Sequence, residues 1–342
     1  MRHRLQWFVT GGFIIVGALA AFGAGQSSAS QKSDSPQSIH VEVEMVSLPV
    51  VVTTREGRRV TDLTKDDFTV IEDGVKQEIS GFETTDEPID VLLALDTSGS
   101  VERKLGRIQN EAIDFVNQLH PDDEVAVMSF AGDVTLLQDF SIDRDRNARA
   151  IKETRPGGST VVYEAVWLGL EEVLKPVTER CALVLFTDGV DTASRKASMQ
   201  ETLELAKETK ATVYSVYFNT EADVARGAPR PMGRGRMGLP RPPIYGPGGS
   251  DMEYTRGRAY LSELSEYSGG TVFDALKMED LSSAFREIAD ELASQYSIGY
   301  YSSNQKHDGK FRKVEVKVNR PGLLARTKKG YYGKKEYTER QK

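Results

Sequence analysis

From residue 39 the chain alternates apolar and polar positions. Val41, Val43 and Met45 are separated by Glu42 and Glu44, and the run Leu48-Pro49-Val50-Val51-Val52-Thr53 follows. Period-two alternation bounded by turn residues predicts strands. Arg55-Glu56-Gly57-Arg58 supplies one hairpin turn. Glu72-Asp73-Gly74 supplies a second, between Phe68-Thr69-Val70-Ile71 and Gln77-Glu78-Ile79-Ser80-Gly81-Phe82. At Ile89 the pattern changes. Ile89-Asp90-Val91-Leu92-Leu93-Ala94-Leu95 reads as a buried strand, and Leu105, Ile108, Ala112, Phe115, Val116 and Leu119 then fall at helical spacing. Strands are expected over 123–130, 181–186 and 211–218, helices over 161–174 and 198–209, and an antiparallel edge partner over 134–140. A short strand at 271–273 and a helix marked by Leu281, Phe285, Ile288 and Leu292 close the series. After Ser294 strands return over 296–301, 313–318 and 323–326, with His307-Asp308-Gly309-Lys310 and Arg320-Pro321-Gly322 as turns.

Alternating strands and helices argue for a doubly wound α/β unit over 87–295, with a mainly parallel sheet covered on both faces. The β segments 39–86 and 296–333 are each too short to bury a core alone, so they are expected to pair into one small β-sandwich. The α/β unit is then an insertion within that sandwich, and 334–342 is a tail. Residues 26–38 are rich in Ser and Gln and read as a disordered linker. The stretch 220–258 is rich in Gly, Pro and Arg, including Arg226, Arg230, Arg234, Arg236 and Arg241, and reads as an exposed, mobile loop insertion. It is either solvated without a fixed partner or a basic arm for an acidic surface.

The formal net charge of −7 gives no global affinity for nucleic acid. Cys181 is the single cysteine, so no intrachain disulfide forms, and its place in an apolar strand makes it an inert thiol. The four histidines are scattered without zinc-ligand spacing, and no Gly-x-Ser-x-Gly or phosphate-binding loop occurs. Met1-Arg2-His3-Arg4 precedes an uncharged stretch that runs to Gly25 and ends in small residues, which reads as a secretory signal over 1–25. The chain is then exported, to a periplasm, a cell envelope or the medium. An uncleaved anchor, which would associate the chain with a membrane, is the alternative. The glycines within the stretch dilute its hydrophobicity and favour cleavage.

The candidate chemistry lies in Asp96-Thr97-Ser98-Gly99-Ser100, directly after the first buried strand. One carboxylate and two hydroxyls on a tight turn at a strand's carboxyl end suit a hard divalent cation: magnesium, manganese or calcium. Two segments add what this turn lacks. Thr160 ends Arg155-Pro156-Gly157-Gly158-Ser159-Thr160, and Asp188 follows the strand 181–186 in Thr187-Asp188-Gly189. Taken singly, each segment is an ordinary helix cap or turn. Asp191 reads as a loop-capping residue rather than a ligand.

Together these residues resemble the von Willebrand factor A (VWA) superfamily. Its metal-ion-dependent adhesion site (MIDAS) is D-x-S-x-S, then a loop Thr, then an Asp, matched here by Asp96, Ser98, Ser100, Thr160 and Asp188. The resemblance implies that Ser98, Ser100 and Thr160 offer hydroxyls to the cation, that Asp96 and Asp188 supply charge partly through water, and that an Asp or Glu of a protein partner completes the coordination. The flanks resemble bacterial secreted VWFA-related domain proteins through Leu63-Thr64-Lys65-Asp66-Asp67-Phe68-Thr69-Val70-Ile71-Glu72-Asp73-Gly74, the strand from Tyr296 to Tyr300, and the closing Gly330-Tyr331-Tyr332. The expected function is a metal-dependent protein-binding or adhesion module. An envelope scaffold with a structural metal site is the alternative. An enzyme is not expected: aspartate-nucleophile phosphotransferases need a second Asp two residues after the first, where Ser98 stands.

Overall fold

The computed structural model describes residues 45–84, 86–218, 251–275 and 277–333. The leader, the linker 26–38, the tail 334–342 and most of the Gly/Pro/Arg-rich stretch lie outside the described residues. Among the described residues no helix is long and apolar enough to cross a membrane.

In chain order the strands are β1 Met45–Thr54, β2 Phe68–Glu72, β3 Val75–Gln77, β4 Ile79–Glu83, β5 Ile89–Asp96, β6 Glu124–Phe130, β7 Val134–Ser141, β8 Arg180–Thr187, β9 Thr212–Phe218, β10 Val272–Ala275, β11 Gln295–Tyr301, β12 Phe311–Val318, β13 Leu323–Arg326 and β14 Gly330–Tyr332. The helices are α1 Leu105–Gln118, α2 Arg144–Glu153, α3 Val162–Leu168, α4 Met199–Glu208, α5 Asp251–Ser268 and α6 Met278–Leu292. A wide π-helical segment, Gly169–Leu174, extends α3.

The central sheet has the order β10-β9-β8-β5-β6-β7, parallel except for the antiparallel edge strand β7. Successive side chains of a strand point to opposite faces, and β5 divides accordingly. Val91, Leu93 and Leu95 pack with Phe115 of α1 and Phe285 of α6, whereas Leu92 and Ala94 pack with Val166 of α3 and Leu264 of α5. An apolar strand without alternation is what two covered faces require. Cys181 sits in the second of these cores, and burial pushes its thiol up to about 12.

Both flanks build the sandwich. One sheet runs β13-β1-β11-β4 and the other β14-β12-β2-β3, so each mixes strands from before and after the α/β unit. Their shared core includes Leu48, Val50, Phe68, Val70, Tyr296, Ile298 and Val316. The Asp73-Gly74 turn closes the β2–β3 hairpin with both residues at positive φ, 47° and 84°.

The sandwich meets the amino edge of the central sheet. Arg180, the first residue of β8, donates to the carbonyls of Glu87 (2.7 Å) and Leu292 (3.2 Å), tying together the two ends of the α/β unit. Gln295 donates to Thr212 and Tyr214 of β9 at 3.2 and 3.0 Å. A fragment of residues 87–295 is expected to fold by itself, whereas 39–86 alone is not, because its strands lack β11 and β12. A cooperative thermal transition in the isolated segment 39–86, followed by circular dichroism, would refute a shared sandwich.

Four elements differ from the sequence expectation. The run 77–82, expected as one strand, is divided at Glu78 between β3 in one sheet of the sandwich and β4 in the other. The loop expected over 220–258 ends earlier, because α5 begins at Asp251 and buries Tyr254 and Gly257. Helix α2 was not anticipated, since it buries only Asn147, Ala150 and Ile151. The closing Gly330-Tyr331-Tyr332 forms a strand, β14, paired with β12.

Candidate metal centre

Strand β5 lies between β6 and β8, both parallel to it, so crossovers leave it in opposite directions and open a crevice at its carboxyl end. Asp96 is the last residue of β5. Leu95 is paired with Phe186, which sets Asp96 beside Thr187 and the turn that carries Asp188. Asp96 is fully buried. One carboxylate oxygen accepts the Ser98 N–H at 2.9 Å and the other accepts the Thr187 hydroxyl at 2.6 Å. The Ser98 and Ser100 hydroxyls stand 3.0 Å apart, and Ser100 Oγ donates to Asp188 Oδ2 at 3.3 Å. Asp188 Oδ1 accepts the Val190 N–H at 3.1 Å. Four of the five expected residues are therefore linked directly, Asp96 to Ser98 to Ser100 to Asp188.

Thr160 is placed by its loop. Gly157 N–H donates to Thr97 O at 2.7 Å and Gly99 N–H to Gly158 O at 3.3 Å, which lays the loop over the Asp96 turn. A Cβ at Gly157 would run into Ala131, so the close approach requires glycine. Thr160 N–H donates to Thr192 Oγ1 at 2.8 Å, and Thr192 N–H returns to Thr160 O at 2.9 Å. Thr160 as a residue is buried. Asp191 caps a loop: its carboxylate accepts from Tyr163 N–H, Ser194 N–H and Ser194 Oγ at 3.1, 3.0 and 2.6 Å.

The electrostatics suit a cation. Burial, and then the negative charge of Asp188, push the Asp96 carboxyl up to about 7 against the lowering effect of its Thr187 and Ser98 hydrogen bonds. A positive charge near both carboxylates would reverse the repulsion. The donor set is all oxygen, two carboxylates and three hydroxyls, which fits a hard divalent cation rather than a soft one. Among the described residues no group of three His, Cys, Asp or Glu is placed to hold a metal.

The family model for the von Willebrand factor type A domain matches residues 91–190. This stretch is a von Willebrand factor type A domain. All five site residues lie within it. No curated protein matches the chain. Among solved structures, a von Willebrand factor type A protein from Catenulispora acidiphila is similar at 12% identity over 80% of this chain and 74% of that one, with a TM-score of 0.47. An aerotolerance-related membrane protein from Bacteroides fragilis is similar at 18% identity over 60% and 98%, with a TM-score of 0.44. Proximal thread matrix protein 1 from the mussel byssus, solved with a zinc-occupied MIDAS motif, is similar at 17% identity over 64% and 48%, with a TM-score of 0.43.

Two residues that position the candidate site were not anticipated from the sequence. Thr187 holds Asp96 and Thr192 holds Thr160. Thr187 adjoins Asp188 at a strand end, a place that signals turn chemistry. No local pattern marks Thr192.

Proposed function

We propose that the chain is an exported, metal-dependent protein-binding or adhesion module that captures a carboxylate of its partner. The observation that carries this reading is the convergence of Asp96, Ser98, Ser100 and Asp188 at the carboxyl edge of the sheet, with the loop that carries Thr160 laid over the Asp96 turn through Gly157 and Gly158. Magnesium, with manganese or calcium as substitutes, would be held by Ser98, Ser100 and Thr160 and balanced by Asp96 and Asp188. So held, it would supply a positive charge with a coordination position for an incoming Asp or Glu. The protein's own part is to hold the hydroxyls in place. Ser98 is fixed by its N–H on Asp96, Ser100 by Asp188, and Thr160 by Thr192. We assign no catalytic residue. The basic start and uncharged stretch of residues 1–25 support export.

The test is recovery of partners from envelope extract by the full chain, in magnesium and in chelator, beside Ser98→Ala. Chelator and Ser98→Ala are each expected to abolish recovery of an acidic partner, with far-UV circular dichroism unchanged. Recovery that persists under both, together with a lower melting temperature, would instead favour a scaffold in which the metal is structural.

A further inference from the structure

Helix α5 rests on the metal-site turn through a glycine on each side. Gly189 follows Asp188 at a φ of +74°, and Gly257 is the single glycine within α5. A Cβ built on Gly257 would stand 2.7 Å from the carbonyl carbon and oxygen of Gly189 and 2.9 Å from the carbonyl oxygen of Asp188. A Cβ on Gly189 would stand 2.7 Å from the Gly257 oxygen. Backbone faces backbone, so no side chain can turn aside to make room. Glycine in a helix interior costs about 1 kcal/mol relative to alanine, so propensity alone disfavours it at this position.

The helix is fastened over its second half, directly after Gly257. Tyr260 Oη and Thr202 Oγ1 are 2.9 Å apart, Ser265 Oγ and Ser215 Oγ 3.0 Å, and Val213 N–H donates to Ser268 Oγ at 2.8 Å. Just past its end, the Gly269 carbonyl accepts from Arg326 of the sandwich. Bulk added at 257 should therefore move the turn rather than the helix. We propose that Gly257 is a positioning residue for the metal centre: α5, anchored on β9 and on the sandwich, seats on the Asp188-Gly189 turn and fixes where the Asp188 carboxylate stands. The proposal rests on the metal-centre reading above.

The test uses the full chain with Mn2+ alone, followed by electron paramagnetic resonance, and amide hydrogen exchange on the metal-free protein. Gly257→Ala is expected to weaken Mn2+ binding by roughly tenfold, about 1.4 kcal/mol, and to speed exchange at 189–190 while α5 stays protected. Gly106→Ala is the control, since a Cβ there meets nothing within 4 Å, and it should change neither readout. Unchanged affinity and exchange in Gly257→Ala would overturn the proposal. Should that variant fail to fold, Ser265→Ala loosens the seating without adding bulk. Faster exchange at 189–190 in Ser265→Ala supports the proposal, and unchanged exchange refutes it. If the wild-type chain binds no Mn2+, the metal-centre reading fails, and the exchange result still decides whether α5 positions the turn.

Discussion

In chelator at pH 8, Asp96→Asn is expected to melt above the wild-type chain, and magnesium is expected to stabilise only the wild type. The Asp96 carboxyl is raised from 3.8 to about 7 by its burial and by Asp188. A carboxyl whose native pKa exceeds its unfolded value favours folding while it is protonated. Its contribution is complete below about pH 4 and is lost as pH rises through about 7. The metal-free protein at pH 8 therefore carries a charged, buried carboxylate at a cost to its stability. Asparagine removes the charge and retains an acceptor for Ser98 N–H, while its amide can face the Thr187 hydroxyl for a loss of about 1 kcal/mol. The advantage of the variant should shrink toward pH 5, where the wild-type carboxyl holds its proton. Added magnesium should reverse the order at pH 8 by stabilising the wild type alone. Differential scanning calorimetry across pH 5 to 8, with and without magnesium, checks both halves. A variant that melts lower in chelator and still responds to magnesium would remove Asp96 from the metal site.

The parts of this molecule that show in the sequence are those set by local chemistry. Strand β5 was legible because its unbroken apolar run needs two covered faces, and Asp96, Ser98, Ser100 and Asp188 were legible because they stand on turns directly after such runs. Thr160 stands in a Pro/Gly loop just before a helix, where a threonine is equally an ordinary cap, and the resemblance gave it a ligand's role. Thr187 and Thr192 escaped because their partners are chosen by strand register and loop packing, which sequence spacing does not encode. Helix α2 escaped for want of an apolar stripe. Its one local signal was Asp143, whose carboxylate accepts the Arg146 N–H at 3.0 Å as an N-cap. The start of α5 was misplaced because Arg256, Gly257 and Arg258 continue the composition of the stretch before it, and the glycine that looked like loop is a contact point.

The flanking motifs were legible as patterns before they were legible as physics. Asp67 of the first motif caps its own turn through Thr64 N–H (2.8 Å) and receives Arg320 from the second flank at 2.9 Å. Tyr296 accepts Leu63 N–H and donates to Val60 O, both at 3.1 Å. Motifs more than two hundred residues apart occur together because they are two halves of one hydrogen-bonded core.

The centre of that core gives the largest expected loss of stability, in Glu72→Ala. Glu72 is 2% exposed. One of its oxygens accepts the Tyr300 and Tyr331 hydroxyls, both at 2.8 Å. The other accepts Ser302 Oγ at 2.6 Å and lies 3.7 Å from the Arg312 guanidinium. Arg312 is itself 5% exposed and donates to Ser302 Oγ and Asn304 O at 2.9 and 2.7 Å. Truncation at 72 leaves a buried guanidinium without its counter-charge and two phenols without an acceptor, at a cost of about 3 to 5 kcal/mol. Replacing Arg312 by Met in the same chain should recover part of that loss, because it removes the charge that Glu72→Ala strands, and the coupling should fall within about 0.5 to 3 kcal/mol. Urea unfolding of the two single variants and the double variant measures it. Since this cluster joins β2, β11, β12 and β14 and the sandwich meets the amino edge of the central sheet, Mn2+ affinity at the opposite edge should be unchanged wherever the variant stays folded. A Glu72→Ala chain as stable as wild type would mean that water replaces the carboxylate at no cost, and the two flanks would then owe their union to the apolar core alone.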